Sequence, residues 1–308
     1  MPESEHLENE TESTQKKESF SIIASITPIV ITILIGSLIT LAIQIFQPPI
    51  SVVPFSEENN PVAAPWLNAV FFVGLSLIAA TIFLILIRKG KIFVLKLIFG
   101  FSLWFSSSFI LFYILLVLLP LSTVSELYAV MIFSFVFGFL LALSLVSHKI
   151  PIKIRNLFVI ALSSIIGFFL GYNSPTWSIV AILVGLALYD LYAVKKGPLG
   201  KLVSELEKGE EQGDGEILPF LGYTTNILQI GLGDLVFYTV LVTHLLSRPQ
   251  FGIIDATAGA IGVILGAAIT FSMLKKEKML PGLPLSIFLG LGLVGLVELI
   301  KVLITLLG

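Results

Sequence analysis

Nine runs of predominantly apolar residues, each bounded by charged or Pro-rich breaks, follow one another along the chain. They lie at residues 20–46, 65–87, 92–119, 124–147, 156–173, 176–195, 222–246, 252–274 and 283–306. A helix that spans a bilayer needs about 20 such residues, so the pattern predicts nine transmembrane helices and an all-α polytopic membrane protein. Polar residues concentrate in two places. Residues 1–19 hold six Glu and two Lys with little apolar content, which predicts a disordered acidic tail. Residues 196–216 end in a Gly-rich acidic run and predict a mobile loop. That loop divides the chain into a six-helix part (20–195) and a three-helix part (217–308).

Composition agrees with lipid as the solvent. Of 308 residues, 56% are hydrophobic and 12% charged, where an ordinary soluble domain carries about a quarter charged residues. The mean hydropathy is +1.02. A net charge of −2 gives no basic field for nucleic acid, and the absence of cysteine excludes disulfides, thiolate metal sites and a cysteine nucleophile.

The basic residues fix an expected orientation, because short cytoplasmic loops carry the positive excess. Lys16 and Lys17 precede the first run, and Arg88, Lys89, Lys91 and Lys96 flank the second connection. Lys149, Lys153 and Arg155 lie at the fourth, Lys195, Lys196, Lys201 and Lys208 at the sixth, and Lys275, Lys276 and Lys278 at the eighth. Only Arg248 and Lys301 fall on the other side. The amino terminus is therefore expected in the cytoplasm and the carboxyl terminus outside, with the cell membrane as the expected location.

Ionisable groups inside a membrane helix cost about 2.5 to 3.5 kcal/mol on insertion scales and point to function. The chain has four Asp, and two of them, Asp190 and Asp234, sit inside the sixth and seventh runs. Asp190 lies five residues before Lys195, about 7.5 Å along a helix. Asp234 is one to two turns in from the same side on the returning segment. The two carboxyls can therefore face each other at one depth; two close carboxylates in low dielectric share a proton rather than both ionise, and such a pair can activate water and protonate a carbonyl together. The same residues also fit helix–helix hydrogen bonding or an ion path. Gly231 and Gly233, around Leu232, leave room for a backbone to approach Asp234, or serve helix packing. Pro281-Gly282-Leu283-Pro284 removes amide donors where the ninth run begins, and either lines a cavity or simply starts a helix.

Tyr189-Asp190 within YDLYAVKKGPLG, Gly231 to Asp234 within GLGDLVFYTVLV, and the PGLP before LSIFLG together resemble the three motifs of the presenilins and their archaeal homologues, the GxGD intramembrane aspartyl proteases. Order, spacing and helix count agree over nearly the whole chain; the first five segments are similar in hydropathy alone. The resemblance implies that Asp190 and Asp234 are the catalytic pair. It also implies that Tyr189, Gly231, Leu232, Gly233, Pro281, Gly282, Leu283 and Pro284 shape the site and seat the substrate. Gly282 departs from the family's usual Pro-Ala-Leu-Pro. The loop is short compared with the animal presenilins. Signal peptide peptidases share the motifs with an inverted orientation, so the charge bias favours the presenilin direction and substrates with cytoplasmic carboxyl termini.

The expected activity is hydrolysis of peptide bonds in transmembrane segments, with the bilayer and membrane-spanning substrates as partners, and with no nucleic acid, metal or cofactor. A substrate helix has to unwind to be cut, and its strand is expected to pair near Gln229 to Leu232 and at Leu283. The alternatives are an ion or proton transporter or leak pathway built on the same two Asp, and a non-catalytic membrane chaperone. No HExxH and no Ser with a plausibly placed His supports another protease class. His244 is expected as an interfacial hydrogen-bonding residue, Asp255 and Glu126 at outer helix starts, Glu298 and Lys301 as a pair, and Gly259, Gly262 and Gly266 at a close helix contact.

Overall fold

The computed structural model describes residues 22–146, 150–195, 222–224, 229–273 and 281–307. The expected acidic tail and the 196–216 loop lie outside the described residues. Among those described are nine helices: α1 (Ile22–Ile43), α2 (Ala63–Arg88), α3 (Ile92–Leu118), α4 (Val124–Val146), α5 (Ile152–Tyr172), α6 (Thr176–Lys195), α7 (Leu232–Ser247), α8 (Ile253–Met273) and α9 (Leu283–Leu307). An antiparallel pair of strands, β1 (Gly222–Thr224) and β2 (Gln229–Gly231), precedes α7. Eight helices are long and apolar enough to cross a membrane, and α7 is shorter. Large apolar side chains stand exposed along α2, α3 and α4, such as Val70, Phe93 and Phe133. A lipid solvent leaves them no reason to turn inward.

The seventh apolar run differs from its expected form. It is predicted as one helix over 222–246, yet 222–224 and 229–231 are the two strands and α7 starts only at Leu232. Sixteen residues of helix span about 24 Å, short of the roughly 30 Å hydrocarbon layer. Strand backbone is tolerated there because β1 packs on α5 and α7 rather than against lipid. The fifth run also begins earlier than expected, at Ile152 in place of 156, because Arg155 is buried within the helix rather than standing in a solvated loop.

Helix α7 is the hub. From Leu235 to Leu245 every side chain except Phe237 is buried, and α1, α5, α6, α8 and α9 all touch it. Small residues allow this crowding, since apolar burial does not drive helices together in lipid and close van der Waals contact must. A Cβ on Gly167 of α5 would lie 2.6 Å from Thr239 Cβ, and one on Gly171 would lie 3.1 Å from the His244 nitrogen. On α8, a Cβ at Gly262 would lie 2.6 Å from Gly290 Cα, and one at Gly266 would lie 2.6 Å from the Ser286 nitrogen of α9. The close contact expected of Gly259, Gly262 and Gly266 is thus with α9, and for Gly259 also with Leu245 of α7.

Polar side chains tie the end remote from the hairpin. His244 is buried rather than interfacial, its Nδ1 bonded to the Gly171 carbonyl at 2.9 Å and its Nε2 to Thr176 Oγ1 at 3.2 Å. Asn173 takes the Ile50 amide on its side chain and the Val52 amide on its carbonyl. The Asn68 side chain grips the backbone of Phe55, its Oδ1 accepting the Phe55 amide and its Nδ2 donating to the Phe55 carbonyl. These bonds hold the segment between α1 and α2 over the helix ends. Lys301 pairs with Glu298 at 2.8 Å as expected, and also with buried Asp255 at 2.5 Å. Glu126 accepts the Thr123 amide while Thr123 Oγ1 accepts that of Glu126, a capping box at the start of α4.

Candidate active site

Three chain segments meet where α6 ends and α7 and α9 begin. Asp190 comes from the last turns of α6 and is half-buried. The Leu283 amide, at the first residue of α9, donates to its Oδ2 at 3.1 Å, and the Gly282 amide turns to the same carboxyl. A free amide at that point follows from the helix start, whose first N–H groups have no partner within the helix.

Asp234 sits in the first turn of α7, nearer the helix end than a helix over 222–246 would place it. Gly231 is the residue before the helix, and its amide faces the Asp234 carboxyl, as an acidic side chain three residues into a helix reaches back to the cap. On its other side the carboxyl lies against Gly282: a Cβ there would stand 2.6 Å from Asp234 Oδ2 and 3.0 Å from Cγ. The two carboxyls therefore flank one short stretch of backbone, Gly282–Leu283, and each lies within the other's field.

That stretch is held from behind by two residues the sequence did not single out. Tyr238 OH, one turn past Asp234 on α7, donates to the Gly282 carbonyl at 2.9 Å. Ser286 Oγ lies 3.2 Å from the Tyr238 hydroxyl and 3.3 Å from the same carbonyl. Tyr238 is fully buried among apolar neighbours, where an aromatic hydroxyl needs a partner. A signal was present in the spacing: Tyr238 is four residues from Asp234 on the same helix face, and Ser286 is four from Gly282.

The other expected site residues surround this centre. Pro281 and Pro284 bracket the turn, with α9 starting between them at Leu283, which is itself buried. Tyr189 neighbours Asp190, and its hydroxyl is buried without a hydrogen-bond partner among the described residues. Leu232 and Gly233 line one end of an apolar cavity of about 310 Å³ that runs to Ser174 between Phe72 of α2, Ile166 of α5, Ile182 of α6 and Val236 of α7. Gly233 is exposed, and a Cβ on it would meet only the Phe237 ring, at 4.0 Å. Such an arrangement can present two carboxyls to an extended backbone entering beside β2, with an apolar slot for its side chains.

Gly282 has a measurable consequence. An alanine methyl there would occupy the place of the Asp234 carboxyl, which must rotate away because the backbone behind it is pinned by Tyr238. If the Asp234 carboxyl takes part in chemistry from this position, Gly282→Ala is expected to lower kcat by about tenfold through its misplacement, with KM and thermal stability nearly unchanged. Steady-state kinetics would show it, and an unaltered kcat would mean the carboxyl does not react from this position.

The architecture is that of an integral, multi-pass, predominantly helical membrane protein with two carboxyls gathered on one backbone turn at one end. Its sequence matches the family model described as Presenilin over residues 16–230, and the chain belongs to the presenilin family. The matched region includes Asp190 and stops short of Asp234. Presenilin-B of Dictyostelium discoideum is 32% identical over 181 residues, which are 56% of this chain and 35% of that protein, so the match spans about a third of the relative's length. Among solved structures, a presenilin family intramembrane aspartate protease superimposes in two crystal forms. The TM-scores are 0.59 and 0.57 at 18% and 19% identity, covering 89% and 91% of this chain and 97% and 100% of the other.

Proposed function

We propose that the protein is an intramembrane aspartyl endopeptidase that hydrolyses peptide bonds in the transmembrane segments of membrane proteins. The observation that carries this reading is the convergence of Asp190 and Asp234 on the Gly282–Leu283 backbone. One carboxylate takes a proton from a water molecule, and the protonated partner donates to the scissile carbonyl oxygen as the tetrahedral intermediate forms. No metal or cofactor takes part. Membership of the presenilin family supports the assignment, as does the likeness of fold to an aspartate protease of that family.

The substrate is a membrane-spanning helix that unwinds locally, since helical amides and carbonyls are otherwise engaged with each other. Its extended strand pairs with β2 at Gln229 to Gly231 and reaches Leu232 and Leu283. Tyr189, Gly233, Pro281, Gly282 and Pro284 shape the surface it meets. The charge distribution supports a cytoplasmic amino terminus, a site near the cytoplasmic face of the cell membrane, and substrates with cytoplasmic carboxyl termini.

Two properties test this. A peptide isostere bearing a hydroxyl at the scissile position mimics the tetrahedral intermediate and is expected to inhibit cleavage in proteoliposomes; an ion pathway would ignore it and show flux instead. Gln229→Pro removes an amide from β2 and is expected to slow cleavage by about tenfold. Turnover at the wild-type rate would sink strand pairing at β2.

A further inference from the structure

Asn156 lies one turn into α5, and its carboxamide makes two hydrogen bonds to a single residue of β1. Nδ2 donates to the Thr224 carbonyl at 2.7 Å, and the Thr224 amide donates to Oδ1 at 3.0 Å. A neighbouring strand offers a residue this same acceptor and donor, so the side chain stands where a further strand would run. In an antiparallel pair, residues whose N–H and C=O bond across alternate with residues whose groups point outward. Thr224 points outward to Asn156. Its partner in the register, Gln229, therefore points outward on the opposite edge, and so does Gly231 two residues on. The Gly231 amide does turn to Asp234. The hairpin thus has two unlike edges: that of β1 is closed by a side chain, and that of β2 turns toward Asp234.

Three paired residues a side have little stability of their own, so the height of this hairpin must be set from outside. On the β1 edge, Asn156 supplies two directional bonds to do so. We propose that Asn156 is a positioning residue, which caps β1 and thereby fixes the register in which a substrate strand pairs with β2 and the bond that reaches Asp190 and Asp234. The inference rests on the protease reading above. It makes Asn156 a determinant of where the substrate is cut, without contact to substrate. A slip of the hairpin moves every paired residue along the site.

The test is the mass distribution of products from one single-span substrate, cut in proteoliposomes by wild type, Asn156→Leu and Asn156→Asp. Leucine is close in size and makes neither bond, whereas aspartate keeps the acceptor for the Thr224 amide and loses the donor. Wild type is expected to cut at one main bond. Asn156→Leu is expected to scatter cleavage over neighbouring bonds, with Asn156→Asp intermediate and hydroxyl-isostere binding preserved in both. The Thr224 amide should exchange with deuterium about tenfold faster in Asn156→Leu, as loss of one hydrogen bond implies. Should the leucine variant fail to fold, Asn156→Gln, longer by one methylene, is expected to displace the main cut. Slower cleavage at an unshifted bond in the variants would overturn the proposal and leave Asn156 a structural anchor. No cleavage by wild type would overturn the protease reading, and this proposal with it.

Discussion

Asp190→Asn and Asp234→Asn are each expected to lower peptide-bond cleavage by at least about 10³-fold, the scale on which a positioned acid or base contributes. Asparagine keeps the shape of the side chain and an oxygen that can accept the Leu283 amide at position 190 or the Gly231 amide at position 234. What it cannot do is exchange a proton with water or with the scissile carbonyl. On the proposed mechanism the two carboxyls act as a unit, so the double variant should be little worse than either single one. Thermal unfolding in detergent separates lost chemistry from lost structure. Both single variants are expected to unfold within about 1 kcal/mol of wild type, as isosteric changes at half-buried positions should. Residual activity near the wild-type level in either would remove that residue from the catalytic pair.

The second large effect is structural. Gly266→Leu is expected to destabilise the protein by about 3 kcal/mol or more, beyond the usual range for overpacking, since the added side chain meets backbone that cannot rotate away. A Cβ at this position already stands 2.6 Å from both Leu285 O and the Ser286 nitrogen of α9. Ser286 in turn contacts the Gly282 carbonyl and the Tyr238 hydroxyl, so any protein that folds with α8 and α9 forced apart has its Pro281–Pro284 turn displaced from the carboxyls. Activity should then fall further than stability alone explains. Gly292→Leu, on α9 where a Cβ meets nothing within 4 Å, is the control, expected within about 0.5 kcal/mol of wild type. Equal melting temperatures for the two variants would contradict the close packing of α8 on α9.

Much of the helix plan was legible because lipid imposes one rule on every span, a long apolar run between charges. That rule located α1 to α6, α8 and α9 to within a few residues. It failed at 222–224 and 229–231, because a short apolar segment reads alike as strand or helix when only hydrophobicity is counted. It misplaced the start of α5 for a related reason: Arg155 looks like loop in sequence, and only the surrounding helices bury it.

The site was legible in a different way. Asp190 and Asp234 stand out since carboxyls are rare in apolar helices, and the Pro-Gly-Leu-Pro turn stands out through its two prolines. The supports of these residues carry no such mark. Tyr238 reads as one more aromatic in an apolar helix, and Asn156 as one more polar residue near a loop. Their roles depend on partners 44 and 68 residues away in sequence, which no local pattern contains.

The central claim is that the carboxyls meeting at Gly282–Leu283 cut a peptide bond within the membrane. The most direct measurement is mass analysis of a purified single-span substrate, reconstituted with carboxyl terminus on the side of Asp190, after incubation with wild type and with the two Asn variants. The account predicts products from wild type alone, cut at the depth of Asp190 and Asp234. An intact substrate with folded wild-type protein, or equal cleavage by the Asn variants, would contradict it.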